Sequence, residues 1–264
     1  MKSPLPSAET WVIVTGASSG IGRATAKHLA QKGYKIVLAS EQHEALRAVQ
    51  SEILKQGQKA EVVDLDLLNS QEVDSFFERV QDKVGFCDIL INNAGIGLNK
   101  TLDESTDAEF RRVFEVNFFA LTNLCRQAFR IMKKEGRGQI INISSASARR
   151  SIAYMSCYGA SKCAVHGFSQ SLRLEAAPYG IKVTEILPIS VQTEFFARAG
   201  YKPKGLVQTP ESIAGLVERA ILSSEAEICS SNLTRLGFLL DVLAPNFTAW
   251  ILETKNKWLT KNSS

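Results

Sequence analysis

The sequence predicts an α/β domain built on a doubly wound parallel sheet. Three observations carry that expectation. Short apolar runs alternate with stretches of helical spacing along most of the 264 residues. Gly16, Gly33, Gly57 and Pro178 stand at joins between them. No proline falls between Ser7 and Ala177, so none breaks a core element there. Repeated strand–helix units favour parallel strands with helices on both faces. Right-handed crossovers then put a ligand at the carboxyl ends of the strands.

The elements follow in order. Residues 11–14 are an apolar strand closed by Gly16. Ile21, Ala24 and Leu29 share one face of a helix over 21–32 that stops at Gly33. A strand is expected at 35–39, a helix at 44–56 ending near Gly57, and a third strand at 60–65. A helix over 71–84 leads to a strand at 88–91. A longer helix covers about 107–134 and a strand 139–143. The next helix, 157–177, is stopped by Pro178. The strand Ile181–Leu187, a helix at 211–222 and the short strand Glu227–Cys229 complete the series. No repeat and no linker divides the chain.

Composition excludes several classes. Hydrophobic residues make up 45% and charged residues 22%, so the chain has the means to bury a core. The net charge of +4 is spread along the sequence without a basic patch, which argues against nucleic acid. Cys87, Cys125, Cys157, Cys163 and Cys229 are odd in number and form no CxxC pair. That argues against a disulfide framework or zinc site and favours a reducing, cytoplasmic setting. Cys157 and Cys163 read as small packing residues rather than redox groups. His28, His43 and His166 have no companion ligands in sequence, so no metal is expected. Residues 1–9 lack the apolar core of a signal peptide. The most apolar stretch, 233–252, is interrupted by Arg235, Asp241, Pro245 and Asn246, so no membrane span is expected. The sequons at Asn142, Asn232, Asn246 and Asn262 read as accidents of composition.

Two loops carry binding chemistry. Thr15-Gly16-Ala17-Ser18-Ser19-Gly20-Ile21-Gly22 lies between the first strand and the first helix. Gly16 suits a tight turn, Gly20 close approach of a pyrophosphate, and Gly22 packing of the helix on the sheet. The helix N-terminus adds amide donors. Asn92-Asn93-Ala94-Gly95 follows the fourth strand and leaves room for a flat ring or a ribose, or is simply a β–α turn. Tyr158 and Lys162 lie four apart on one helix and project to one face. A tyrosine titrates too high to shuttle protons well near neutrality, and a nearby ammonium favours its phenolate.

With these segments placed, the chain resembles the short-chain dehydrogenase/reductase family. The resemblance rests on TGASSGIG at 15–22, NNAG at 92–95, Asn117 in the long helix, Ser145, and Tyr158-Gly-Ala-Ser-Lys162. It runs from about Trp11 to Thr193. It implies a single-domain, Rossmann-type doubly wound sheet of seven parallel strands flanked by helices. It divides the chain into a core at 10–194, a substrate loop at 195–210 and an apolar helical extension at 230–264. It implies an NAD(P)-dependent oxidoreductase acting on an alcohol or carbonyl, and assembly as a homodimer or homotetramer through the helices at 107–134 and 157–177. Tyr158 becomes the general acid and base. Lys162 lowers its pKa and binds the nicotinamide ribose. Ser145, with Ser144 as the alternative, polarises the carbonyl, and Asn117 supports a proton-relay water. Cofactor contacts fall on Gly16, Ser18, Ser19, Gly20, Ile21, Ser40, Glu41, Asp66, Leu67, Asn93, Ala94, Gly95, Tyr158, Lys162, Pro188 and Thr193.

The sequence departs from the family pattern in four places. NAD-preferring relatives place an aspartate where Ser40 stands, and NADP-preferring ones an arginine where Glu41 stands. The missing aspartate leans the reading to NADP. Ile189 replaces a usual glycine after the sixth strand, which predicts a differently shaped nicotinamide pocket. Phe195, Phe196 and Tyr201, with Gly200 and Gly205 as flanking glycines, read as a lid over an apolar substrate or as core packing. The apolar C-terminus reads, in this order, as a subunit interface, a lid, or a peripheral membrane contact. Two other functions stay open at this level: a cofactor-sensing binding protein that has lost catalysis, and an isomerase or dehydratase on the same fold.

Overall fold

A computed structural model describes residues 7–200 and 207–261. Seven strands form one parallel sheet: β1 Trp11–Thr15, β2 Lys35–Ser40, β3 Ala60–Asp64, β4 Ile89–Asn92, β5 Gly138–Ile143, β6 Ile181–Leu187 and β7 Glu227–Cys229. Their spatial order is β3-β2-β1-β4-β5-β6-β7, so the winding reverses between β1 and β4. Clefts at such a reversal hold ligands in doubly wound folds.

Alternation along β1 shows how the layers form. Val12 and Val14 point to one face and Ile13 to the other, and all three are fully buried. The first face is covered by α1 (Gly20–Gln31) and α2 (His43–Leu54) through Leu29, Leu46 and Val49. The second is covered by α3 (Ser70–Asp74) and α4 (Phe76–Val84), which supply Val73, Phe76 and Val80. Each such side chain contributes about 1.5–3 kcal/mol on burial.

The helix expected over 71–84 is two helices, because Ser75 leaves helical geometry (φ −91°, ψ 1°) and turns its hydroxyl onto the Gln71 carbonyl. The long helix expected at 107–134 is α5 (Asp107–Phe114) and α6 (Ala120–Glu135) joined by a π-helical turn, Glu115–Phe119. That turn carries Asn117. α7 (Ser156–Ala176) packs against the sheet on the same side as α6 and ends just before Pro178. A short helix not expected from the sequence, α8 (Glu194–Arg198), follows β6 where the resemblance implied a substrate loop. α9 (Pro210–Leu222) adds Val217 and Ile221 to the first core. The apolar C-terminus forms α10 (Asn232–Leu243) and α11 (Pro245–Lys261), broken at Pro245. Asn142 is fully buried in β5 and cannot be a glycan acceptor, while Asn262 lies outside the described residues. Among the described residues no helix is long and apolar enough to cross a membrane.

Candidate active site

The glycine-rich loop and the NNAG loop are one structure. The Thr15 hydroxyl accepts the N–H groups of Asn93 and Ala94 at 3.0 and 3.1 Å. Asn93 returns a bond from Nδ2 to the Thr15 carbonyl at 2.9 Å. Thr15 was not singled out in the sequence, although a hydroxyl closing an apolar strand was visible. A Cβ at Gly22 would stand 2.2 Å from the Gly16 carbonyl oxygen, and one at Gly16 2.9 Å from Ala94 Cα. Gly16 also has φ +65°, a left-handed angle that L side chains resist. The loop therefore folds tightly enough to bare the start of α1. Ser19 precedes that helix in extended geometry and does not cap it with its side chain. The first-turn amides thus keep their donor character. A cavity of about 720 Å³ opens there, lined by residues including Ser18, Ser19, Gly20, Arg23 and Thr193. Ile21 follows, half-buried, in the first turn.

The flanks are set by β2 and β3. Ser40 is buried, shares a hydrogen bond with the Ser18 hydroxyl at 3.1 Å, and donates to Glu41 Oε2 at 3.2 Å. Glu41 is exposed and its carboxylate is folded back over Ser40. Asp66 accepts the Leu68 N–H at 2.9 Å, and both Asp66 and Leu67 are half-buried.

Tyr158 and Lys162 are both buried on α7. Lys162 donates to the Ile143 carbonyl at 3.1 Å, with Nζ 5.9 Å from the centre of the Tyr158 ring. A Cβ on Gly95 would stand 3.6 Å from Lys162 Nζ and 3.1 Å from Asn117 Oδ1, so the NNAG loop reaches this group as well. Ser145 accepts the Ser147 N–H at 3.1 Å and lies close enough to Tyr158 to lower its pKa against the effect of burial. Ser144 is buried with its hydroxyl unpartnered, so Ser145 is the serine that meets the tyrosine.

Asn117 is fully buried. Its Oδ1 accepts the Ile96 N–H at 2.8 Å, and Nδ2 donates to the Ile96 carbonyl at 2.9 Å and to Ser161 Oγ at 3.0 Å. Ser161 in turn donates to the Tyr158 carbonyl at 2.7 Å. Ser161, unremarked in the sequence, links the π-helical turn to α7.

Burial governs the titration of these groups. It pushes the Tyr158 phenol up to about 12, with Ser145 pulling the other way, so the phenol is raised here and not lowered as the resemblance implied for Lys162, because burial outweighs the ammonium. It brings the Lys162 ammonium down to about 8, against the attraction of Glu185. Burial also holds the Cys157 thiol at about 11, which fits the packing role read from sequence.

A polar row lies across the sheet on adjacent strands. Asn92, Asn142, Glu185 and Glu227 are neighbours in register on β4 to β7. Asn92 Nδ2 donates to Asn142 Oδ1 at 2.9 Å, and Asn142 Nδ2 to Ser169 Oγ at 2.9 Å. Glu185 is fully buried and meets His166 Nδ1 at 2.6 Å. His166 therefore has companions that sequence did not give it: ligand atoms of His166, Glu185 and Glu227 lie within 4.8 Å of one another. Arg149 takes Glu227 at 2.7 Å and Gln170 takes His166 Nε2 at 3.0 Å, while Glu185 Oε1 stays buried without a hydrogen-bond partner. The other histidines pair with carboxylates, His28 with Glu218 and His43 with Asp64.

Phe195 of α8 walls the site beside Tyr158. Its ring centre lies 5.5 Å from that of Tyr158, and a Cβ on Gly97 would stand 2.9 Å from its Cζ. Tyr201 and Gly205 lie outside the described residues. Pro188 is buried and its carbonyl accepts the Ala146 N–H at 2.8 Å. Ile189 donates its N–H to Ser230 Oγ at 3.0 Å. Tyr154 is the only non-glycine with positive φ among the described residues, so Ile189 needs no angle reserved for glycine. Thr193 Cγ2 would lie 3.0 Å from a Cβ on Gly20, which brings the loop after β6 against the glycine-rich turn.

Residues 10–203 match the family model described as short chain dehydrogenase. The chain belongs to the short-chain dehydrogenase family. A fatty acyl-CoA reductase of Acinetobacter baylyi is 33% identical over 236 residues, 89% of this chain and 80% of that one. A 3-ketodihydrosphingosine reductase of Bacteroides thetaiotaomicron is 36% identical over 184 residues, 70% of this chain and 65% of the relative. Among solved structures, a Sphingobium yanoikuyae short-chain dehydrogenase in complex with NADPH superposes with a TM-score of 0.81 at 28% identity, covering 91% of this chain and 95% of that one. This member of the family is an oxidoreductase acting at a CH–OH or C=O carbon.

Proposed function

We propose that this short-chain dehydrogenase moves a hydride between a nicotinamide dinucleotide and the alcohol or carbonyl carbon of an apolar substrate, with Tyr158 as its acid and base. The observation that carries the reading is the gathering of Tyr158, Ser145 and Lys162 where the NNAG loop passes at Gly95, next to a glycine-rich turn packed too tightly for side chains at Gly16 and Gly22. The residues present fit such a cofactor. Gly16, Ser18, Ser19, Gly20 and Ile21 would hold the pyrophosphate at the α1 amides. Ser40, Glu41, Asp66, Leu67, Asn93 and Ala94 would flank the adenosine. Gly95, Tyr158, Lys162, Pro188 and Thr193 would hold the nicotinamide half. When bound, the cofactor supplies or accepts the hydride.

The protein handles the proton. In reduction Tyr158 gives its phenolic proton to the carbonyl oxygen, and in oxidation it takes that proton back. Ser145 donates to the same oxygen as charge builds there. The Lys162 ammonium would grip the ribose hydroxyls and would offset part of the burial that raises the phenol. The Asn117 amide is committed to Ile96 and Ser161, so a relay water would rest on its main chain.

Phe195 beside Tyr158 supports an apolar substrate, and relatives named for fatty acyl-CoA and 3-ketodihydrosphingosine reduction support the same class. The missing aspartate at Ser40 leans the cofactor to NADP, while the Glu41 carboxylate would oppose a 2′-phosphate. Assembly as a homo-oligomer would use the outer faces of the helical stretches 107–134 and 157–177, where Phe119 of the π-helical turn and Leu174 of α7 are exposed.

Calorimetric titration with NADH and NADPH, followed by turnover on long-chain ketones and alcohols, tests this reading. Binding of one dinucleotide, with turnover that Tyr158→Phe abolishes, is expected. Binding of neither overturns it in favour of a protein that has lost the chemistry.

A further inference from the structure

The C-terminal helices leave apolar surface that the fold does not use. Nine of the nineteen exposed large hydrophobic residues among those described fall within residues 233–251. Leu233, Leu236, Leu240 and Leu243 recur every three or four positions on α10 and are 44–79% exposed. Phe247 and Trp250, stacked at 6.1 Å between ring centres, extend the surface onto α11 and are 57% and 60% exposed. Such a concentration marks a contact surface rather than scattered surface residues.

Its chemistry selects the occupant. The stripe on α10 is aliphatic, whereas the energetic centres of protein–protein contacts favour Trp, Tyr and Arg, with Leu and Val under-represented. Charge points the same way. Residues 232–261 hold four basic residues (Arg235, Lys255, Lys257, Lys261) against two acidic ones (Asp241, Glu253). Asp241 is already paired with Arg150, leaving a basic excess. Leucine, tryptophan and lysine together on helices too short or too polar to span a bilayer are the composition of an interfacial anchor.

We propose that α10 and α11 dock this protein on an anionic lipid bilayer, the apolar stripe entering the acyl boundary and the basic excess of the segment favouring anionic headgroups. The Arg150–Asp241 pair ties α10 to the loop that follows Ser145. Docking therefore sets the active-site mouth near the lipid surface, a consequence that rests on the apolar-substrate reading above.

Flotation of the full chain with vesicles tests the docking. The wild type is expected to float with phosphatidylcholine–phosphatidylglycerol vesicles and not with phosphatidylcholine alone. The double variant Leu236→Glu, Leu243→Glu should stay in the bottom fraction while keeping its melting temperature, sedimentation mass and dinucleotide affinity. The triple variant Lys255→Gln, Lys257→Gln, Lys261→Gln should bind about a hundredfold more weakly. A wild type that never floats, or a leucine variant that floats equally well, overturns the proposal. So does a wild-type dimer that the leucine substitutions dissociate, since the face would then be a subunit contact. The assay holds no substrate or cofactor, so its failure and a failure of the catalytic reading are seen separately.

Discussion

Lys162 donates to the Ile143 carbonyl at 3.1 Å, a bond from the middle of α7 to the last residue of β5. It anchors the ammonium in a buried place where its charge is costly, and burial brings its pKa down to about 8.

Stability should respond to pH in two opposed windows. In the free enzyme Lys162 releases its proton near pH 8, whereas in the unfolded chain it does so near 10.5. Between those values the unfolded chain binds more protons, so this group makes stability rise with pH. Tyr158 does the reverse, because its phenol is held to about 12 against an ordinary 10.0. From about pH 10 upward the unfolded chain loses that proton first, and stability falls. Melting temperature against pH should lose the rise in Lys162→Met and the fall in Tyr158→Phe.

Removing the phenol should separate binding from chemistry. Tyr158→Phe is expected to lower kcat by about 10²–10⁴. Its ring still packs against Phe195, so the fold and the dinucleotide affinity should hold. Single-turnover absorbance and calorimetry on the same preparation check both halves.

Two glycines should behave differently. Gly22→Ala would put a Cβ 2.2 Å from the Gly16 carbonyl, and a rigid backbone atom cannot yield. Dinucleotide binding and thermal stability should both fall. Gly57→Ala meets nothing within 4 Å but needs φ +75°, so it should cost about 1 kcal/mol of stability and leave binding unchanged. Thermal melts with and without NADPH distinguish the cases.

Glu41→Arg should shift the preference toward NADP. It removes a carboxylate held at 3.2 Å from the Ser40 hydroxyl and supplies a cation for a 2′-phosphate. The ratio of NADPH to NADH affinity is expected to rise at least about tenfold. An unchanged ratio would show that Glu41 does not face the ribose.

Phe195→Ala should act on substrate rather than cofactor. Removing the ring 5.5 Å from Tyr158 should raise KM for a long-chain ketone about tenfold or more and leave dinucleotide affinity as it was.

The layered architecture was legible in the sequence, and so was the element on which each candidate site residue sits. Apolar runs, helical spacing and glycine positions depend on neighbours a few residues apart, and hydrophobic periodicity reports them directly. Tyr158 and Lys162 could be placed on one helical face for the same reason. Other features depended on chain segments meeting far from one another. Asn93 and Thr15 are 78 positions apart, and only the pairing of β1 with β4 makes their bond. The partners of His166, the choice of Ser145 over Ser144 and the closure of Phe195 over Tyr158 belong to the same class. The break at Ser75 and the π-helical turn at Asn117 were likewise hidden, because packing against other elements overrode a pattern that read as continuous helix. Local patterning determined which elements form and where they stop. The tertiary structure decided which side chains share a desolvated space, since strand register and helix packing bring distant residues within hydrogen-bond reach and withdraw them from water.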